Sequence, residues 1–329
     1  MPFVMPLNED DLINFLEPLF IIPEKTKAGY SFADSPAKVS FNDSNVIFYG
    51  VPLDITGSFR KGTARGPETI RLTSACQIET FVLDEKIDIY ERAKIYDIGD
   101  LKLPAHLIKK YKKQDCNNIL SFLDKTIPKI TTVLRNANKL PIILGGEHTL
   151  SYYSIKALAK EKPIVIHFDA HRDMKPEYDK MKMCHTTPFY HIIKEGHIIG
   201  KNLVQIGIRQ TDRQENDIAQ DEGVITFDAW EIHNSIHTVL EYLKKVTEHK
   251  KIYISFDIDV YDLPYVSCTG TPEPFGLDPF EVLRIIKSID PTAKLIGMDM
   301  VEAALRNDDY REGALATQTL LRILLRDYI

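Results

Sequence analysis

Apolar, β-branched runs alternate along this chain with longer stretches in which apolar residues recur at helical spacing. Short runs over residues 45–51, 94–98, 141–144, 164–168, 203–208, 224–227, 252–256 and 294–298 are rich in Val, Ile, Leu and Phe, which predicts strands. Amphipathic spacing over 10–20, 114–136, 150–161, 229–249, 278–288 and 311–328 predicts helices. Alternation of the two predicts a mainly parallel sheet with helices covering its faces. Eight parallel strands suit an open sheet or a closed barrel equally, because both bury their strands on two sides.

No internal repeat or low-complexity linker divides the chain, so residues 41–329 read as one domain. The first 40 residues read as an extension, a short helix followed by a Pro/Ser/Lys-rich connection, of the kind that packs on a neighbour or frays. With 329 residues, 44% of them apolar, the chain can bury a substantial core. Its net charge of −6 and dispersed basic residues argue against nucleic acid as a partner, and the run from Lys109 to Lys113 reads as solvated helix surface. No apolar stretch approaches the ~20 residues that cross a bilayer, and residues 1–11 lack the basic start of a secretory signal, so a cytoplasmic protein without membrane contact is expected. Cys76, Cys116, Cys184 and Cys268 are scattered without a CxxC pair, which argues for reduced thiols over a zinc ribbon or a disulfide framework.

The polar residues that follow the strands carry the chemistry. Four predicted strands run into Gly145-Gly146-Glu147-His148, Asp169-Ala170-His171-Arg172-Asp173, Asp257-Ile258-Asp259 and Asp299-Met300-Val301-Glu302. Side chains two apart in extended chain share a side, so Asp169, His171 and Asp173 can point together, as can Asp257 and Asp259. Alone, His148 would read as a capping or core histidine, and each aspartate as a strand-end acid. Together, four aspartates at the ends of buried strands force like charges into one place, which is costly unless a cation neutralises them. Carboxylate and imidazole donors without thiolate suit hard or borderline divalent ions, Mn²⁺ more than Zn²⁺.

In their order and spacing, Gly145 to His148, Asp169 to Asp173, Ser255 to Asp262 leading into Thr269-Gly270-Thr271-Pro272, Gly62 to Arg71 and Gly297 to Glu302 resemble the motifs of the ureohydrolase family of arginases and agmatinases. The resemblance implies a three-layer α/β/α fold around a mainly parallel eight-stranded sheet, which removes the barrel, and assembly as a homotrimer or homohexamer. By the same resemblance His148, Asp169, Asp173 and Asp257 match the ligands of one Mn²⁺, and Asp169, His171, Asp257 and Asp259 those of a second. Two such ions lower the pKa of a shared water, as the poorly electrophilic guanidinium carbon requires. Glu302 matches the acid that holds the substrate guanidinium in a bidentate fork, and Thr271 the residue that orients that acid. Asp173 resembles the proton carrier to the departing amine, and His185 the histidine that passes protons to solvent or product. Arg65 and Arg71 look structural.

The segment between Asp173 and His185 lacks the Asn and Ser with which arginases grip an amino-acid head, and Glu177-Tyr178 with His185 to Phe189 resembles agmatinases. The expected reaction is therefore agmatine to putrescine and urea, with Glu177 or Asp179 meeting the substrate ammonium. Lys175, Lys180 and Lys182 in the same segment keep guanidinobutyrate open as a substrate. Arginine, a formimino or acyl-amide group cleaved on the same fold, and a metal-bound regulatory scaffold are the other readings. Arg172 stands where smaller residues are frequent in the family, and by alternation it points away from the metals.

Overall fold

In the computed structural model, which describes residues 9–109 and 116–326, all eight predicted strands form and join one sheet. In chain order the strands are β1 (Phe20–Ile21), β2 (Val46–Gly50), β3 (Phe81–Val82), β4 (Ile87–Asp88), β5 (Ile95–Leu101), β6 (Leu140–Leu144), β7 (Ile164–Phe168), β8 (Leu203–Ile208), β9 (Ile225–Asp228), β10 (Lys251–Asp257) and β11 (Lys294–Val301). β3 and β4 make a separate ribbon, and the other nine are ordered β1-β5-β2-β6-β11-β10-β7-β8-β9. Every pairing in the large sheet is parallel except that of β1 with β5.

The ninth strand is the two-residue β1, which the sequence pattern folds into a helix ending at residue 20. Pro18 and Pro23 bracket it; a short helix over Glu9–Leu16 and a single 3₁₀ turn end before it, and Phe20 and Ile21 then pair with Leu101 and Asp100. The N-terminal segment thus packs on the edge of its own sheet, with Leu12, Leu16 and Phe20 buried. Phe32 stacks on Phe48 with ring centroids 4.4 Å apart. Residues 110–113 of the lysine run lie outside the described residues.

Alternation along the strands sends side chains to two cores, one on each face of the sheet. Val46, Phe48, Ile142, Leu144, Ile164 and Ile166 belong to one. Their neighbours Ile47, Tyr49, Ile143 and Val165 belong to the other. Helices Gly66–Cys76, Ile236–Thr247, Pro279–Ser288 and Arg311–Leu324 cover the first face, and Asn117–Asn136, Leu150–Leu158 and Pro188–Lys194 the second. Three layers result, and the open sheet stands against the barrel.

The stretch 229–249 is two helices, Ala229–Asn234 and Ile236–Thr247, separated at Ser235, whose φ of −158° and ψ of 86° lie outside the helical region. Arg213–Glu222 is a helix that periodicity misses, because only Ile218 and Ala219 among its residues are apolar. Its ends are nonetheless marked: the Asp212 carboxylate accepts from Glu215 N–H, and Gly223 closes it at φ 71°. Arg71 is structural as expected, fully buried, with Nε and Nη2 donating to Asp97 at 2.7 and 3.0 Å and Nη1 to Asp100.

The four chemically loaded strands, β6, β11, β10 and β7, are consecutive at the centre of the sheet and parallel to one another. Their carboxyl ends therefore open onto one crevice, where ligands of open α/β sheets bind.

Candidate metal centre

Each site residue arrives by the end of one central strand. β6 ends at Leu144 and turns through Gly145 and Gly146. A Cβ on Gly146 would lie 2.0 Å from the Leu53 carbonyl oxygen and one on Gly145 2.5 Å from Val301 Cγ1, so these glycines supply room for close backbone approach. β7 delivers Asp169, His171 and Asp173, β10 delivers Asp257 and Asp259, and β11 delivers Glu302. Asp173 and Glu302 have φ of 51° and 59°, left-handed values that cost a non-glycine residue energy and gather at functional sites.

The structure brings all six expected ligands together. His148 Nδ1 lies 3.0 Å from Asp169 Oδ2, 2.9 Å from Asp173 Oδ2 and 3.3 Å from Asp257 Oδ2. His171 Nδ1 lies 3.4 Å from Asp169 Oδ1 and 3.1 Å from Asp259 Oδ2. Asp169 thus turns one oxygen to each histidine, as a carboxylate shared by two cations does. Asp257 faces His148 with Oδ2 while its Oδ1 accepts from Asp259 N–H at 2.8 Å. His148 Nδ1 and Asp259 Oδ2 are buried yet engaged in no aligned hydrogen bond, an arrangement that costs free energy unless something else meets them. A donor set of four carboxylates and two imidazoles with such orphaned atoms fits divalent cations.

Burial and crowding perturb the titration of these groups. Burial and the neighbouring Asp169 charge push Asp173 up to about 7. Burial, with Asp259 and Asp169 beside it, drives Asp257 well above the usual carboxylate range. Burial also opposes the charged form of Asp169, but His167, His148 and His171 outweigh it and hold this carboxyl well below its usual range. The cluster without cations therefore keeps protons where a cation would take their place.

Further contacts set the ligands. His148 Nε2 meets Ser255 Oγ at 3.0 Å, and Ser255 Oγ donates to Asp299 Oδ1 at 2.9 Å, so the ring nitrogen aimed at the aspartates is Nδ1. Glu147 ties down the loop after β2: it accepts from the backbone of Ile55 and Thr56 and from the hydroxyls of Thr56 and Thr149. Thr56 and Ser58 of that loop meet His185, at 3.3 Å on Nδ1 and 3.2 Å on Nε2. Glu302 Oε1 accepts from His148 N–H at 2.8 Å, and a Cβ on Gly270 would lie 3.1 Å from Oε2, which leaves that oxygen open. Burial, then the Glu147 charge, raises Glu302 well above the usual range.

A cavity of about 350 Å³ opens from the cluster, and Asp173, His185, Thr271 and Glu302 line it. Its outer wall carries Lys175, Tyr178, Asp212, Glu215 and Glu273. Glu177 is exposed and does not line this cavity, nor does Asp179. Asp179 and Lys180, with φ of 49° and 63°, form the tip of a two-residue turn between Tyr178 and Met181. This turn carries Asp179, Lys180 and Lys182 to a second cavity beside Cys116 and Leu120. Lys175 stays at the first, but its ammonium pairs with Asp212 and, at 3.0 Å, with Glu215. Of the acids that wall the site, Asp212 and Glu215 lie on a segment remote in sequence from the ligand motifs and Glu273 directly follows Pro272, and the strand-end pattern marks none of them.

Fold and cluster together define a class: α/β/α proteins that gather carboxylates and imidazoles at the carboxyl edge of a central parallel sheet. The profile of the Arginase family matches residues 44–325, and the chain belongs to that family, an enzyme family of dinuclear metal centres. It is 31% identical over 81% of its length to an agmatinase of Pyrococcus horikoshii, covering 86% of that protein. To an agmatinase of Bacillus anthracis it is 32% identical, over 88% of this chain and 94% of the other. The crystal structure of a hypothetical agmatinase from Burkholderia thailandensis superposes with a TM-score of 0.75 at 27% identity, covering 90% of this chain and 89% of that one. The chain is accordingly a ureohydrolase, an enzyme that cleaves a guanidino group. Among the described residues no helix is long and apolar enough to cross a membrane.

Proposed function

We propose that this enzyme hydrolyses agmatine to putrescine and urea with two Mn²⁺ ions, one held by His148, Asp169, Asp173 and Asp257, the other by Asp169, His171, Asp257 and Asp259. The observation that carries the reading is the cluster itself, buried acids and imidazoles with orphaned atoms, opening onto a cavity that also holds Glu302. Two bound divalent ions would supply a nucleophilic water at neutral pH.

This chain's own residues do the rest. Glu302, its Oε1 anchored by His148 N–H, offers Oε2 to the paired N–H groups of the guanidinium. Thr271 lines the same cavity as Glu302, and its role there is to orient that carboxylate for the guanidinium. Asp173, which lines the cavity beside His148, would take a proton from the attacking water and give it to the departing amine. His185, set between Thr56 and Ser58, passes protons between the cavity and solvent.

Charge on the outer wall favours a cationic tail. Three carboxylates, Asp212, Glu215 and Glu273, line the cavity with one ammonium, Lys175; the first two engage that ammonium, and Glu273 Oε1 lies 3.7 Å from His171 Nε2. An incoming carboxylate such as that of guanidinobutyrate meets net negative charge there, and an ammonium meets attraction. Agmatine should exceed 4-guanidinobutyrate and arginine at least tenfold in kcat/KM when urea is measured with Mn²⁺-loaded enzyme. The reverse order overturns the substrate, and no urea from any guanidino compound overturns the reaction. The proposal includes residues 41–329 as one domain behind an extension of residues 1–40, a cytoplasmic location, and a homotrimer or homohexamer measurable by light scattering.

A further inference from the structure

Beneath the cluster runs a chain of hydrogen bonds that starts from Arg172, the residue by which this sequence departs from its motif. Arg172 points away from the ligands and is 7% exposed. Its guanidinium donates to three neutral oxygens: Gln205 Oε1 and Thr226 Oγ1 at 2.9 Å, and Asn216 Oδ1 at 3.1 Å. Gln205, fully buried on β8, turns its amide nitrogen the other way, to the Arg172 carbonyl at 2.8 Å and to His167 Nδ1 at 3.2 Å. His167, fully buried on β7 two residues before Asp169, places Nε2 2.8 Å from Asp169 Oδ2. Asp169 is the carboxylate that faces both histidines of the cluster.

The direction of every bond follows from the first. A guanidinium has only donors and keeps its charge at any working pH, so the atom of Gln205 that faces it is the carbonyl oxygen. The amide N–H₂ must then face His167, whose Nδ1 accepts and whose proton sits on Nε2. That N–H donates to Asp169 Oδ2 and holds the carboxylate plane with Oδ1 toward His171.

We propose that Arg172, Gln205 and His167 are a positioning relay that fixes the orientation of Asp169, so that Arg172 governs metal retention without touching the metal site. The proposal rests on Asp169 being the shared ligand. It separates from a packing role because a packing role depends on volume alone, and a relay depends on a donor at one atom. His167 packs on Phe189 with ring centroids 4.0 Å apart, and both Leu and Gln vacate that contact. Gln alone restores an N–H near the Nε2 position.

The test is Mn²⁺ affinity of the metal-free full-length protein, by competition with a chelator, beside its melting temperature without metal. Loss of an outer hydrogen bond to a ligand costs 10- to 100-fold in metal affinity. His167→Leu should therefore weaken Mn²⁺ binding by about 10- to 100-fold, and His167→Gln should stay within about threefold of the wild type. Arg172→Met should weaken it about tenfold and Arg172→Lys, which keeps a donor to Gln205, by less, with the metal-free melting temperatures of each pair matched. Equal losses for Leu and Gln, or an Arg172→Met protein that binds as the wild type does, overturn the relay while wild-type binding of two Mn²⁺ leaves the metal reading standing. A wild type that binds no Mn²⁺ overturns both.

Discussion

Replacing Glu302 by glutamine separates what this residue does for the substrate from what it costs the fold. The residue is 7% exposed, and one of its carboxylate oxygens accepts from His148 N–H at 2.8 Å. In Glu302→Gln the amide oxygen can keep that bond, which turns the NH₂ group toward the guanidinium, donor against donor. Truncating one partner of a buried, hydrogen-bonded charge pair costs about 2–5 kcal/mol, and the reversed polarity places this change in the upper half of that range. At about 1.4 kcal/mol per tenfold, a loss of about 3–5 kcal/mol lowers kcat/KM by roughly 10²- to 10³·⁵-fold. Stability should move the other way. Burial raises the Glu302 carboxyl well above the range it has in the unfolded chain, so at pH 8 its ionised form opposes folding, and a neutral amide removes that opposition. The assay is initial-rate urea release over a range of agmatine concentrations, paired with thermal melting of the metal-free protein. Activity within threefold of the wild type would refute the placement of the guanidinium at Glu302, and a lower melting temperature would refute the cost assigned to its charge.

Asp257→Ala should abolish turnover and leave fewer than one Mn²⁺ per chain, because Asp257 stands in both ligand sets; metal analysis after gel filtration checks it, and retained activity would show the site to be elsewhere. Asp173 binds its proton more tightly folded than unfolded, so its contribution is present at acid pH and lost as pH rises from about 4 to 7. The metal-free Asp173→Asn protein should therefore gain stability relative to wild type across that window, and a constant difference in melting temperature would contradict it. Arg71→Met strips the buried Asp97 and the partly exposed Asp100 of their cation. Such an uncompensated charge costs about 3–5 kcal/mol, hence a fall of about 4–7 °C in melting temperature, read by calorimetry.

The strands and the candidate ligands were legible for the same reason. β-branched runs buried on both faces stand out from their surroundings, and a ligand placed directly after such a run has its direction set by the pleat. Asp169, His171, Asp173, Asp257 and Asp259 therefore reveal themselves in pairs and triplets. His167 does not, because within an apolar strand it reads as one more buried residue, and only pairing with Gln205 on β8 shows its purpose. The outer wall stays hidden for a different reason. Asp212 and Glu273 sit on loops whose meeting depends on strand order, which local pattern does not encode. Glu177 and the lysines mislead because the Tyr178–Met181 turn rotates most of their segment away from the cavity.

The central claim, that two divalent ions at this cluster cleave a guanidino group, is tested most directly by titrating the metal-free enzyme with Mn²⁺ while urea and putrescine are measured from agmatine. The account predicts no turnover without metal, a rise that saturates at two ions per chain, and equal amounts of the two products. Urea release untouched by removal of the metal, or none at any metal load, would contradict it.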